Sequence, residues 1–182
     1  MKKMINTKNN YGWMAIFLHW FMAILLLLLI GFGLYMVALP DVGFNSEKII
    51  LIIFHKEVGL MILPLVSIRF IWRLNNVIPT LSAHLPDWQK IAARFVHLCF
   101  YALMFAMPIT GWLMTSAAGI PVTFFRLFTL PDLVSQNWHL FQILIDIHKW
   151  LGYVFLFLIF IHVSAALRHH FVFKDDTLKK IL

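Results

Sequence analysis

The sequence predicts an all-α integral membrane protein, a four-helix bundle with both termini in the cytoplasm. Three observations predict it: a composition of 62% hydrophobic and 13% charged residues, four apolar stretches of membrane-crossing length, and an uneven distribution of Lys and Arg around them. Soluble domains hold roughly 45–50% apolar and about 25% charged residues, so the solvent of this chain is the lipid bilayer. A soluble bundle is disfavoured because helices apolar on every side leave no face for water. The 182 residues amount to a single domain.

Crossing the hydrocarbon takes about 20 apolar residues in a helix, and the stretches 13–39, 49–72, 91–116 and 140–167 supply them. The first follows MKKMINTKNN and superficially resembles a secretion signal. Its apolar run far exceeds the roughly 7–15 residues of a signal core, so it reads as an uncleaved first helix. The 119–137 connection contains PVTFFRLFTLPDLV. It is too short and too broken by Pro to cross, and apolar enough to lie in the outer interface as a surface turn or short helix.

Charge then sets the direction. Lys2, Lys3, Lys8, Arg69, Arg73, Lys90, Arg94, Arg168, Lys174, Lys179 and Lys180 fall on one side of the spans, and only Lys48, Lys56, Arg126 and Lys149 on the other. The rule that cytoplasmic loops are Lys- and Arg-rich places both termini inside. It also accounts for the net charge of +7 without nucleic acid, because the basic residues sit in short groups between apolar runs and form no single face. The one cysteine, Cys99, excludes an intrachain disulfide and a Cys-x-x-Cys-His site for covalent haem attachment.

Ionisable residues within a membrane are costly and mark function. Here they are mostly histidines. His19 lies about two turns from the inner end of span one and His162 about two turns from the inner end of span four. His55 and His148 lie near the outer ends of spans two and four. His148 and His162 are 14 residues apart, which returns to within ~40° of one helix face and separates them by roughly 21 Å. One helix thereby offers a ligand to each of two stacked porphyrins, whose irons take axial imidazoles from opposite sides. A single such histidine reads more simply as a packing residue; two depth-matched pairs point to two b-type haems.

Smaller features accompany the histidines. HKEVG at 55–59 and HKWLG at 148–152 place Gly59 and Gly152 one turn after a histidine, where a missing side chain lets a flat disc lie close. Gly12, Ala15 and Ala23 flank His19, and Ala166 follows His162. Arg69 and Arg73, one turn apart, suit haem propionates or ordinary inside anchoring. His97, one turn after Arg94, suits a propionate or a quinone carbonyl better than iron. His169 shares the His162 face but, with His170, sits at the water boundary; it is a reserve ligand. His84 and His139 fall in connections, and Pro64 and Pro108 read as kinks. No residues suggest acid, base or nucleophilic catalysis.

With HW at 19–20, FHKEVG and SIRFIWRL in span two, HLCFYALMFAMPITGWLM in span three, HKWLGYVFLFLIFIHVSAALRHHF in span four and the tail FKDDTL, the chain resembles the prokaryotic cytochrome b561 family. The resemblance covers nearly the whole chain. It implies a four-helix dihaem protein of the bacterial inner membrane, with His19 paired to His162 on the inner haem and His55 to His148 on the outer. It also implies exchange of electrons with ubiquinone or another membrane quinone, with superoxide or a redox protein as donor. Lys56 and Lys149 beside the outer ligands could draw in an anion, although Glu57 and Asp146 offset them. The competing readings are a haem-bearing anchor subunit for a separate dehydrogenase or hydrogenase, and a haem-free histidine-based metal transporter.

Overall fold

A computed structural model of the chain describes residues 3–40, 46–80, 85–125 and 127–182. Lys2, Asp41, His84 and Arg126, placed by the sequence in a terminus or a connection, lie outside them. Four helices account for most of the chain: α1 Trp13–Ala38, α2 Ser46–Leu74, α3 Asp87–Ala117 and α4 Trp138–Arg168. All four are long and apolar enough to cross a membrane. α1 ends one residue short of the expected span, and α2, α3 and α4 continue slightly further at their polar ends, where Glu47 and Asp87 in the first turns of α2 and α3 complement the helix dipole. Asn137 starts α4 by accepting a hydrogen bond from the Leu140 N–H at 3.0 Å.

Consecutive helices pack side by side, α1 on α2, α2 on α3 and α3 on α4. The centre is a cluster drawn from all four: Met22, Val66, Leu103, Met104 and Phe155. Outward-facing residues are equally apolar but exposed, as the contrast between Phe155 at 2% and Phe160 at 69% shows on one helix. An exposed face of that composition is stable only against lipid. Pro64 and Pro108 lie inside α2 and α3, where each removes one backbone donor from the helix ladder.

The connection between α3 and α4 differs from expectation. Its described residues form two short antiparallel strands, β1 Val122–Phe124 and β2 Phe128–Leu130, with Val122 opposite Leu130. The β-branched and aromatic residues of PVTFFRLFTL favour extended backbone, and pairing satisfies the amide groups that an interfacial segment cannot leave bare. Val122 is buried, and the Trp112 indole N–H donates to the Pro131 carbonyl at 3.1 Å, pinning the hairpin to α3.

At the opposite end three segments are stitched together. The Asn6 amide donates to the Val77 carbonyl, Thr80 N–H to the Lys8 carbonyl, Lys180 Nζ to the Thr80 carbonyl, and the Trp20 indole to the Ile181 carbonyl. The N-terminal segment, the α2–α3 connection and the C-terminal tail therefore share one face of the bundle. Gly12 belongs to this cap: a Cβ there would collide with the backbone carbonyls of Met4 and Ile5. Its small size serves chain packing at the entry to α1.

Phe155→Ala is expected to destabilise the bundle by about 3 kcal/mol, the low end for a buried Phe, because lipid supplies little hydrophobic drive between helices and the loss is mainly packing. Thermal unfolding of the detergent-solubilised protein measures it, and an unchanged midpoint contradicts it.

Candidate functional site

The four histidines singled out in the sequence meet in two pairs at opposite ends of the bundle. His19 of α1 faces His162 of α4 with ring centres 6.3 Å apart and planes at 63°. His55 of α2 faces His148 of α4 with ring centres 6.2 Å apart and planes at 77°. All four are half-buried. An imidazole nitrogen binds a metal at about 2.0–2.1 Å and lies about 1.1 Å from its own ring centre, so imidazoles on opposite sides of one metal have centres about 6 Å apart. Both pairs meet that spacing. Among the described residues no group of three or more His, Cys, Asp or Glu is placed to hold a bare metal ion.

The His55–His148 pair, the outer one by the Lys and Arg distribution of the sequence, rests on two similar backbone shelves. A Cβ on Gly33 of α1 would lie 3.4 Å from the His55 Cε1, and a Cβ on Gly111 of α3 would lie 3.5 Å from the His148 Cε1. One turn before each glycine a carbonyl lies beside the same ring, Leu29 for His55 and Met107 for His148. Each glycine thus brings a histidine edge onto bare helix backbone. The two rings differ in their polar partners: His148 Nδ1 is 2.9 Å from the Thr110 hydroxyl, whereas His55 Nδ1 is buried without a partner in hydrogen-bond geometry.

Gly59 and Gly152, singled out in the sequence, have a different setting. A Cβ on Gly59 meets nothing within 4 Å, and one on Gly152 meets only the Met107 methyl at 3.8 Å. Gly33 and Gly111 were missed. They stand on the helices opposite the histidines, at the outer ends of α1 and α3, and glycine inside an apolar helix at ligand depth was the available signal.

The inner pair is surrounded by further polar groups. Arg69 Nη2 lies 3.0 Å from His19 Nδ1, which must accept because guanidinium only donates. Tyr101 lies beside Arg69, and the Arg73 guanidinium sits over the Tyr101 ring at 5.7 Å. Just before α1, burial raises the Tyr11 phenol above its ordinary range, partly offset by the Arg73 and Arg69 charges. His97 of α3 approaches His162 edge-on at 5.7 Å, and Phe100 does so at 5.3 Å. His169 is engaged elsewhere: its Nδ1 is 2.6 Å from the Asp175 carboxylate in a π-helical turn. At the outer surface Lys149 pairs with Asp146 at 2.6 Å.

Residues 10–182 match the family model described as prokaryotic cytochrome b561. The chain belongs to the cytochrome b561 family. Its members are membrane electron-transfer proteins that bind b-type haem, and the four spans make this one a multi-pass bacterial membrane protein. The chain is 32% identical over 179 residues to cytochrome b561 homolog 2 of Escherichia coli K12, covering 97% of this chain and 93% of the relative. It is 28% identical over 128 residues to cytochrome b561 homolog 1 of the same organism, covering 70% and 72%. A Yersinia pestis protein named "Probable superoxide oxidase CybB" is 28% identical over 174 residues, covering 96% of each chain.

The residues fit haem. Paired imidazoles at the spacing of two ligands on one metal, with side-chain-free backbone at Gly33 and Gly111 beside the His55 and His148 rings, are features that a bound porphyrin explains together. The inner pair fits by spacing, with Arg69 required to leave His19 Nδ1 when Nε2 takes a metal. Gly111→Leu is expected to weaken haem binding at the His55–His148 pair, because the added side chain projects onto the His148 ring. Haem extracted per protein should fall, and a variant retaining full haem would refute the shelf's role.

Proposed function

We propose that this chain is one dihaem domain of the bacterial inner membrane that takes electrons from superoxide at the outer face and delivers them to ubiquinone. The observation that supports it best is the pair of facing imidazole couples, each drawing one ring from α4. When bound, haem b supplies reversible one-electron storage. The chain supplies the rest: His55 and His148 hold the outer group, His19 and His162 the inner, with Gly59 and Gly152 as further small positions near the ligands. Arg69 and Arg73 receive the inner propionates by charge-assisted hydrogen bonds. The shared helix fixes the separation of the two sites, and the packed core around Phe155 keeps water out between them.

The overall reaction balances as two superoxide anions, one quinone and two protons giving two dioxygen molecules and one quinol. The Yersinia pestis relative supports the donor, and the excess of Lys and Arg at the end carrying both termini supports a cytoplasmic location for that end. Lys149 contributes less to anion attraction than its position suggests, since Asp146 pairs with it. Lys56 has Glu57 beside it.

Rapid mixing of the oxidised, haem-loaded protein with superoxide tests the reading. Reduced b-type bands should grow faster than in a haem-depleted control and decay when ubiquinone is supplied. Haem bands reduced by quinol but not by superoxide would replace the donor with a partner protein, as in an anchor subunit, and a protein free of haem would end the reading.

A further inference from the structure

We infer that Thr110 is a positioning residue which fixes the proton of His148 on Nδ1 and so presents a bare Nε2 toward the space shared with His55; this rests on the haem-ligation reading above. A threonine hydroxyl has one proton and two lone pairs. Thr110 Oγ1 lies 2.8 Å from the Met107 carbonyl, a group that only accepts, so the hydroxyl proton points there. The same oxygen is 2.9 Å from His148 Nδ1 and has only a lone pair left to offer. Nδ1 must then be the N–H. A neutral imidazole carries one such proton, and Nε2 is left with an in-plane lone pair, the form a metal requires.

Two details make this more than a chance contact. The Met107 carbonyl itself lies within reach of the His148 ring, so both neighbours on α3 ask for the same tautomer. Gly111, directly after Thr110, turns a backbone face without a side chain toward the ring, where a Cβ would lie 3.5 Å from Cε1. The matching shelf on α1 lacks the hydroxyl: the residue before Gly33 is Phe32, stacked edge-on against Phe54 at 5.5 Å. His55 Nδ1 accordingly has no partner. The two outer imidazoles are held alike by backbone and differ in this one side chain.

A donor bond from Nδ1–H raises the basicity of the opposite nitrogen and favours the oxidised metal. Thr110→Val keeps the shape and removes the hydroxyl; Thr110→Ser keeps the hydroxyl. In redox titration of the purified haem-loaded protein, Thr110→Val is expected to raise the midpoint of the outer haem, with a tenfold loss of ferric preference corresponding to about 59 mV. Transfer of that haem to an excess of apomyoglobin should become about tenfold faster. Thr110→Ser should restore both, and the inner haem should be unaffected. If Thr110→Val does not accumulate, Thr110→Ala is read in its place. An outer haem unchanged in potential and release rate overturns the role of Thr110 while leaving ligation by His148 intact. A wild-type protein without an outer haem overturns both.

Discussion

On the dihaem arrangement proposed above, replacing His148 by Ala is expected to leave the protein with one haem, the inner, and replacing His162 by Ala to leave only the outer. Each change removes one of two imidazoles whose centres stand 6.2 or 6.3 Å apart, and the partner alone would offer a single ligand. The loss should be nearly complete. Among the described residues His148 has a ring contact with only one histidine, its partner His55. His162 has two within sequence or spatial reach, and neither is a suitable replacement. His169, which shares its helix face, is tied to Asp175 at 2.6 Å in the C-terminal turn. His97 meets the His162 ring edge-on from α3 rather than facing His19. His19→Ala and His55→Ala should give the corresponding losses from the other side. Haem extracted per protein and the amplitude of the reduced-minus-oxidised spectrum measure all four variants. Two haems retained in either α4 variant would show that the porphyrins are held by other residues.

Those four histidines were legible because membrane helices are nearly one-dimensional. Once span ends are set by hydrophobic length and direction by Lys and Arg, residue number converts directly to depth, and His19 with His162 and His55 with His148 fall into register by counting alone. Lateral contacts are not coded in that way. Gly59 and Gly152 were singled out because they follow a histidine on its own helix, yet the glycines whose missing Cβ would meet the His55 and His148 rings are Gly33 and Gly111 on the facing helices. Which face of α1 or α3 turns toward His55 or His148 depends on helix rotation. Helices apolar all round give no periodic signal for rotation. Thr110 was hidden for the same reason, its hydroxyl identifiable only once Met107 and His148 are both in place. The 122–130 hairpin escaped because a short interfacial run of Val, Thr and Phe fits a turn, a strand or a helix until its pairing is known.

Arg69→Leu is expected to loosen the inner haem selectively, speeding its transfer to apomyoglobin by about 10- to 100-fold, the equivalent of losing one hydrogen bond to a charged group. Arg69 sits within the bilayer end of α2, beside Tyr101 and 3.0 Å from His19 Nδ1. That contact fixes the His19 proton on Nε2, since guanidinium cannot accept. Binding of a metal by Nε2 needs the opposite tautomer, so the guanidinium has to turn away from the ring. A cation released inside a membrane protein is stabilised by an anion at short range, and a propionate carboxylate supplies one with the fork geometry that suits Arg. Arg69→Lys keeps the charge but loses the fork and should fall between wild type and Leu. If Arg69 served only as an inside anchor, Arg69→Leu would leave haem release unchanged, and its effect would appear instead in the membrane orientation of a reporter fused after Leu182. Faster release with orientation preserved is the result expected here.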